Sequence, residues 1–313
     1  MDKSASAKKQ VSDPALDRRV DSLLKGAIDM HCHSGPSVMP RCLDHIEAVE
    51  EAAAAGMRAL LFKDHYYSAT PITELLQHRY KHLGVQMMSG VPLNDTCGGL
   101  NPYAVDHGLK LGARLVWMPT FSAANHIRQG HRKSLLVTKE PMLPPTMISV
   151  IDDKGRLKDE VKFILDQIAG RDAVLSAGHL HISEIWPLFE EAKKRGVNRR
   201  LVQHPTYTIG ATLKDIRELV TGGAFIEHSL CMFIEESRFK HWTGEELKEM
   251  ITAGTVDQTI LGSDLGQIKN PTPVTGFKCV IRLCIDQGYT DEDIRKLVGG
   301  NAARLLGLVT TNG

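Results

Sequence analysis

A strand followed by a helix, repeated eight times, is the arrangement that the apolar runs of this chain prescribe. Strand-like runs fall near residues 27–33, 59–65, 86–91, 114–118, 173–178, 200–204, 224–228 and 259–263. Between them lie helical patterns. Leu43–Ala55 is rich in Ala and Glu and is stopped by Gly56. Pro71–His82, Ser183–Arg195 before Gly196, Leu213–Thr221 before Gly222 and Gly244–Ala253 before Gly254 have the same character. Strands alternating with helices imply a parallel sheet, and eight strands are the number that closes a (β/α)8 TIM barrel. The fold class expected is therefore α/β. Such a barrel takes ~250 residues, so a chain of 313 has room for a tail and an insertion.

Residues 1–13 are polar and charged and are expected to form a flexible N-terminal tail. Residues 14–310 are expected to form a single barrel domain, because no change in composition marks a second one. The insertion lies between the fourth and fifth strands, about 131–158. There Met147–Ile151 and Arg156-Leu157 flank Asp152-Asp-Lys-Gly155, a pattern that suggests a small hairpin. Helices are expected at Asp159–Ile168, Pro273–Asp286, Thr290–Val298 and Asn301–Leu306, with Thr290 and Asp293 in an N-cap arrangement.

A net charge of +1 offers nothing to nucleic acid or to an anionic membrane. No apolar window is long enough to span a bilayer, and the N-terminus lacks the apolar stretch of a secretory signal. The six cysteines, Cys32, Cys42, Cys97, Cys231, Cys279 and Cys284, form no C-x-x-C pair. Reduced thiols in a cytoplasmic protein are the expectation.

Four strands end in residues that bind metals. The first ends in His31-x-His33, whose two imidazoles share one face of an extended strand. The fifth leads to His179, the sixth to His204 and the eighth to Asp264. Parallel strands of a barrel all finish at one rim, so these groups would meet there. Imidazoles with a carboxylate suit zinc, and also manganese, iron or nickel. A metal in such a site lowers the pKa of water toward ~7, and Asp264 could take and return the proton.

This ordered set of short motifs resembles the amidohydrolase superfamily of metal-dependent hydrolases, as does the closing run Asn301-Ala-Ala-Arg-Leu-Leu-Gly-Leu308. The resemblance implies a metal-dependent hydrolase that cleaves a C–N or C–O bond of a small molecule, either an amide, a cyclic amide or imide, or a lactone. It implies a divalent metal, foremost zinc, held as one or two ions by His31, His33, His179, His204 and Asp264. The chain departs from the family at the fourth strand, where Arg114–Thr120 offers neither Lys nor Glu to bridge two ions. Lys63, at the end of the second strand, is the expected substitute as a carbamate. A single-metal site with Lys63 as a free cation facing substrate, or Lys63 paired with Glu227, are the alternatives.

Other polar residues at strand ends are candidate substrate contacts. His65 shares a face with Lys63; Glu227 could orient a ligand histidine; Arg41 has a fork suited to a substrate carboxylate. His181 is expected to face solvent, while Asn94, Asn101, Asn125, His126, Gln267 and Asn270 sit on loops that could line the pocket. Two other functions remain open: a single-metal decarboxylase of the same superfamily, and a barrel that binds without catalysis. Phosphoesterases that begin with H-x-H usually finish with D-x-H, whereas here Asp264-Leu-Gly266 follows. The expected partner is a small-molecule substrate, with a homo-oligomer as the general expectation for a soluble enzyme.

Overall fold

The computed structural model describes residues 13–130 and 138–308. Eight strands form one sheet in sequence order: β1 Ile28–Cys32, β2 Ala59–Phe62, β3 Gln86–Pro92, β4 Leu115–Trp117, β5 Val174–Ser176, β6 Arg200–Gln203, β7 Phe225–Ser229 and β8 Thr259–Gly262. Every neighbouring pair is parallel. The ring closes where the chain beyond β8 meets β1, through a parallel bridge between Cys32 and Leu265. There the Asp264 amide donates to the His31 carbonyl at 2.9 Å and the His33 amide to the Leu265 carbonyl at 2.8 Å. The TIM barrel expected from the alternation of strands and helices is the fold that forms.

Leu213–Thr221, Pro273–Asp286 and Asn301–Leu306 are helical over the residues read from the sequence. The segment expected as Thr290–Val298 divides into an α-helix, Asp291–Arg295, and a π-turn, Lys296–Gly300. Thr290 caps that helix with Asp293 in a reciprocal box. Among the described residues three α-helices were not read from the sequence: Pro14–Leu24, Pro102–Leu111 and Ala124–Arg128. The first is started by the Asp13 carboxylate, which accepts from the Ala15 amide, and lies along Pro273–Asp286 through Arg282–Asp17 and Lys278–Asp21 ion pairs. The Asp152–Gly155 turn closes with one antiparallel bridge, Ile151 to Leu157, so it is a tight turn and not a full hairpin ladder. The tail expectation, apart from Asp13, lies outside the described residues, as do residues 131–137 of the insertion and 309–310 at the end of the domain.

Strand alternation fills the barrel. Ile28, Met30, Ala59, Leu61, Met88, Leu115, Trp117, Val174, Leu201 and Ile260 pack together inside, and the last helix adds Ala302, Ala303, Leu305 and Leu306 to them. Leu60, Phe62, Val116, Leu175, Val202, Ile226 and Leu261 point the other way, into the layer under the helices. Toward the strand tips the interior turns polar, with Ser176, Gln203 and Glu227 buried there. β1 breaks its own rhythm. The pairing of β1 with β2 slips between Asp29 and Cys32. Met30 faces inward while Cys32 joins the outer layer, so the slip returns His31 and His33 to the inside.

Below the β1 tip, His45 is buried between the Ser34 hydroxyl, 2.5 Å from Nδ1, and the Tyr67 hydroxyl, 3.2 Å from Nε2. Burial brings its pKa down to about 4. An unfolded histidine binds a proton below ~6.5 and the folded one resists to about 4. The stabilisation is therefore complete above the unfolded value and is lost as pH falls between the two, a contribution on the order of 3 kcal/mol. In His45→Gln, the loss of unfolding free energy between pH 7 and pH 4.5, read from urea melts, is expected to shrink by most of that amount. An unchanged slope would remove His45 as the cause.

Candidate functional site

Seven of the 14 histidines line one cavity at the strand tips: His31, His33, His65, His126, His179, His204 and His241. Asp264, Lys63 and Arg41 line it as well, and its volume is about 110 Å3. The chain reaches this rim in a constrained way. His204 and Asp264, the first residues beyond β6 and close beyond β8, both have positive φ, 33° and 49°. Non-glycine residues adopt that conformation at a cost and do so where the surroundings fix it. At both positions it turns a metal-type side chain into the cavity.

The ligating atoms of His31, His204 and Asp264 lie within 4.8 Å of one another. Asp264 Oδ1 is 3.3 Å from His31 Nε2 and 3.1 Å from His33 Nε2. The imidazoles are aimed from behind. His33 Nδ1 donates to the Lys63 carbonyl at 2.8 Å. A carbonyl only accepts, so Nδ1 holds the proton and Nε2 presents its lone pair. His31 Nδ1 lies 2.5 Å from Glu227 Oε1, and the Gln203 amide donates to that same oxygen at 3.0 Å. Gln203 is fixed in turn by the Ser176 hydroxyl at 2.9 Å. Glu227 fits beneath this layer because Gly262 lacks a side chain; a Cβ there would stand 2.8 Å from the Glu227 carboxyl carbon.

Burial lowers the pKa of His31, His33, His179 and His204, the last to about 3, so these rings are neutral ligands at ordinary pH. For Asp264 burial works against ionisation; its carboxyl falls well below the usual carboxylate range only with positive charge beside it, on His31, His33 and His204 or on a cation they would share. A neutral His33 Nε2 lone pair facing a carboxylate oxygen at 3.1 Å is repulsive without a positive centre between them. The buried His204 Nδ1 also meets no protein partner. This donor set fits a divalent cation.

Lys63 and His179 sit at the flanks of the cluster. Lys63 Nζ is 2.9 Å from His31 Nε2, fully buried, and 5.7 Å from the centre of the Trp117 ring. The alternative of a Lys63–Glu227 ion pair is not formed among the described residues, because His31 stands between them. Burial lowers the Lys63 ammonium and raises the Glu227 carboxyl, each pulled back in part by the charge of the other. His179 Nδ1 faces His126 Nδ1 at 2.9 Å. His65 donates to or accepts from the Thr120 hydroxyl at 2.9 Å and stacks on Phe121 with ring centres 3.6 Å apart.

The loop candidates divide. Arg41, His126 and Gln267 line the cavity. Asn94 braces the loops beneath it, donating to the His65 carbonyl and the Thr120 hydroxyl. Asn101 caps the helix Pro102–Leu111, Asn125 ties the His179 and Thr208 carbonyls together, and Asn270 accepts from the Arg238 amide. His181 caps its own helix at the surface, facing solvent as expected. Sequence reading passed over Gln203, although a polar residue at the end of the apolar run Leu201–His204 was a visible signal. It gave His126 no partner, because the contact with His179 joins segments 53 residues apart.

The closed parallel barrel, with imidazoles and a carboxylate gathered at its C-terminal rim, is similar in fold to solved structures of amidohydrolases and related enzymes. The solved structure of an amidohydrolase from Pseudomonas aeruginosa superposes with a TM-score of 0.65 at 12% identity, covering 93% of this chain and 98% of that one. The probable dipeptidase PvdM from Pseudomonas aeruginosa gives 0.62 at 11% identity, over 96% of this chain and 100% of that one. A 2,6-dihydroxybenzoate decarboxylase gives 0.54 at 10% identity, over 91% and 99%. The superfamily resemblance read from the strand-tip residues is thus borne out in the fold. The chain belongs to the family of unknown function DUF6282, whose model matches residues 26–227. No curated protein matches the sequence. Among the described residues no helix is long and apolar enough to cross a membrane.

Proposed function

We propose that this chain is a metal-dependent hydrolase that opens an amide, a cyclic amide or imide, or a lactone of a small molecule. The supporting observation is the meeting of His31, His33 and His204 with Asp264 in one cavity, two of the imidazoles having their Nε2 atoms 3.1 and 3.3 Å from the same carboxylate oxygen. These four residues would hold the cation, zinc foremost, and His179 and Lys63, at the flanks of the cluster, are the groups that would join in holding a second ion. When bound, such a cation supplies Lewis acidity and makes water acidic enough to react near neutral pH.

The residues of the chain divide the remaining work. Glu227 and the Lys63 carbonyl fix the faces that His31 and His33 present. Asp264 stays ionised and is the proton acceptor for the attacking water. It then returns that proton to the departing nitrogen or oxygen. Met39, Phe121, Met232 and Phe239 give the cavity an apolar wall that limits bulk water.

Metal analysis of the chain purified without added metal tests this reading, followed by a screen of lactones, cyclic amides and acyclic amides. Bound zinc or another divalent ion is expected. Its removal by chelator should lower the melting temperature by roughly 4 °C if the ion is present at about 100 times its dissociation constant. Metal-free protein that ignores both chelator and added metal would leave only a binding barrel. Stoichiometry also decides the role of Lys63. Two ions per chain falling to one in Lys63→Ala marks a carbamate bridge, while one tightly held ion in the native protein removes it.

One triplet of ligand groups is brought together among the described residues, and this suits one ion. A single-metal decarboxylase is therefore the second reading. Release of carbon dioxide from a substrate, in place of a hydrolysis product, would favour it.

A further inference from the structure

Arg41 is the cavity group that neither the cation nor the packing of the fold employs in full. It lies on the loop after β1, held by an antiparallel bridge to Gln267 beyond β8. Its side chain is 4% exposed, yet it lines the same cavity as the imidazole cluster. Nη2 donates to Asp64 Oδ2 at 3.1 Å and to the Ser37 hydroxyl at 3.4 Å. Nε and Nη1 are buried and meet no protein acceptor. A guanidinium cannot relieve this by losing a proton, so the unmatched donors call for an acceptor from outside the chain.

The surroundings specify that acceptor. Arg41 lines the cavity together with His33, His65 and Asp264, so the guanidinium stands at the same site as the cluster. Asp64 already offsets part of the charge, and its second oxygen is engaged by the Tyr66 amide. A singly charged, planar acceptor matches what remains better than a phosphate dianion does. Met39, Phe121 and Phe239 supply an apolar wall for the rest of the molecule.

We propose that Arg41 is a substrate-binding residue that grips the carboxylate of a small organic acid and presents the remainder of that acid to the cluster of His31, His33, His204 and Asp264. The substrate class is therefore an amide, imide or lactone that also carries a free carboxylate. This inference rests on the metal-site reading for the second half of its claim, and the test separates the two.

The test is calorimetric titration of the full-length, zinc-loaded chain with benzoate, benzamide, inorganic phosphate and acetohydroxamate, alongside Arg41→Met and Arg41→Lys. Acetohydroxamate chelates the cation without needing Arg41. Benzoate is expected to bind at least tenfold more tightly than benzamide or phosphate. Arg41→Met should weaken benzoate at least 30-fold and leave acetohydroxamate within about twofold. Arg41→Lys keeps a cation beside Asp64, so it guards against misfolding of the methionine variant; it should weaken benzoate about tenfold because the fork is lost. Melting temperature and zinc content show which variants are intact. Failure of acetohydroxamate to bind the native chain would overturn the cation site while the benzoate comparison still judges Arg41. Benzoate affinity unchanged in an intact variant, or phosphate binding more tightly than benzoate, would overturn the carboxylate assignment.

Discussion

Asp264→Asn is expected to cost about 10^3-fold in kcat/KM on any amide, imide or lactone that the native chain turns over. Most of the bound metal should remain, because His31, His33 and His204 stay in place. The asparagine side chain occupies the same space at the end of β8 and keeps an oxygen that can face the imidazoles, but it has no basicity. Among the described residues Asp264 is the one carboxylate lining the cavity, and its side chain is 18% exposed where Glu227 is sealed off beneath His31. Among the described residues no neighbouring carboxylate can therefore take its place as proton acceptor. Turnover within tenfold of the native rate, with metal content unchanged, would remove Asp264 from that role and leave it a ligand alone.

Gly266→Ala is expected to destabilise the chain by on the order of 4 kcal/mol, or roughly 6 °C in melting temperature. Gly266 has φ of +116°, and a Cβ added to it would stand 1.8 Å from the His33 carbonyl oxygen. That carbonyl belongs to the backbone that closes the barrel, so it cannot turn aside as a flexible side chain could. Its neighbours are held as well, with the His33 amide bonded to Leu265 and the Cys42 amide to Gly266. Gly84→Ala is the control: φ is +73°, nothing lies within 4 Å, and the expected cost is about 1 kcal/mol. Equal losses in the two variants would show that left-handed backbone strain, and not crowding at the barrel seam, sets the penalty at Gly266.

The fold was legible because its signals are local. Runs such as Leu201–His204 and Thr259–Asp264 combine apolar character, strand length and a stop, and each kept its place within a few residues in the barrel. The chemistry-bearing tips were legible for the same reason, since in a parallel barrel every strand end arrives at one rim whatever its distance in sequence. Two helices were missed although their cues are local: Val20, Leu23 and Leu24 make a buried stripe on Pro14–Leu24, and Asn101 and Gly112 bracket Pro102–Leu111. What no local window contains is where Pro14–Leu24 docks: its buried face joins the core, and Asp17 and Asp21 pair with a helix more than 250 residues away.

Alternation also left the first strand undecided. Met30, His31, Cys32 and His33 cannot all follow a period of two and still give Met30 to the barrel interior and both histidines to the cavity. The slip in β1 resolves this, and it exists only because β1 pairs with β2 on one side and with the chain beyond β8 on the other. The sequence by itself determined the number and order of strands and which residue types stand at their tips, since hydrophobic period and turn residues act over a few positions. Tertiary structure alone decided the state of each tip group: that Glu227 backs His31, that the Lys63 carbonyl sets the tautomer of His33, that His126 faces His179, and that Arg41 keeps two unmatched donors. Those outcomes depend on distances of about 3 Å between remote segments in a place shielded from water, where each hydrogen bond and each charge counts for more than it does in solution.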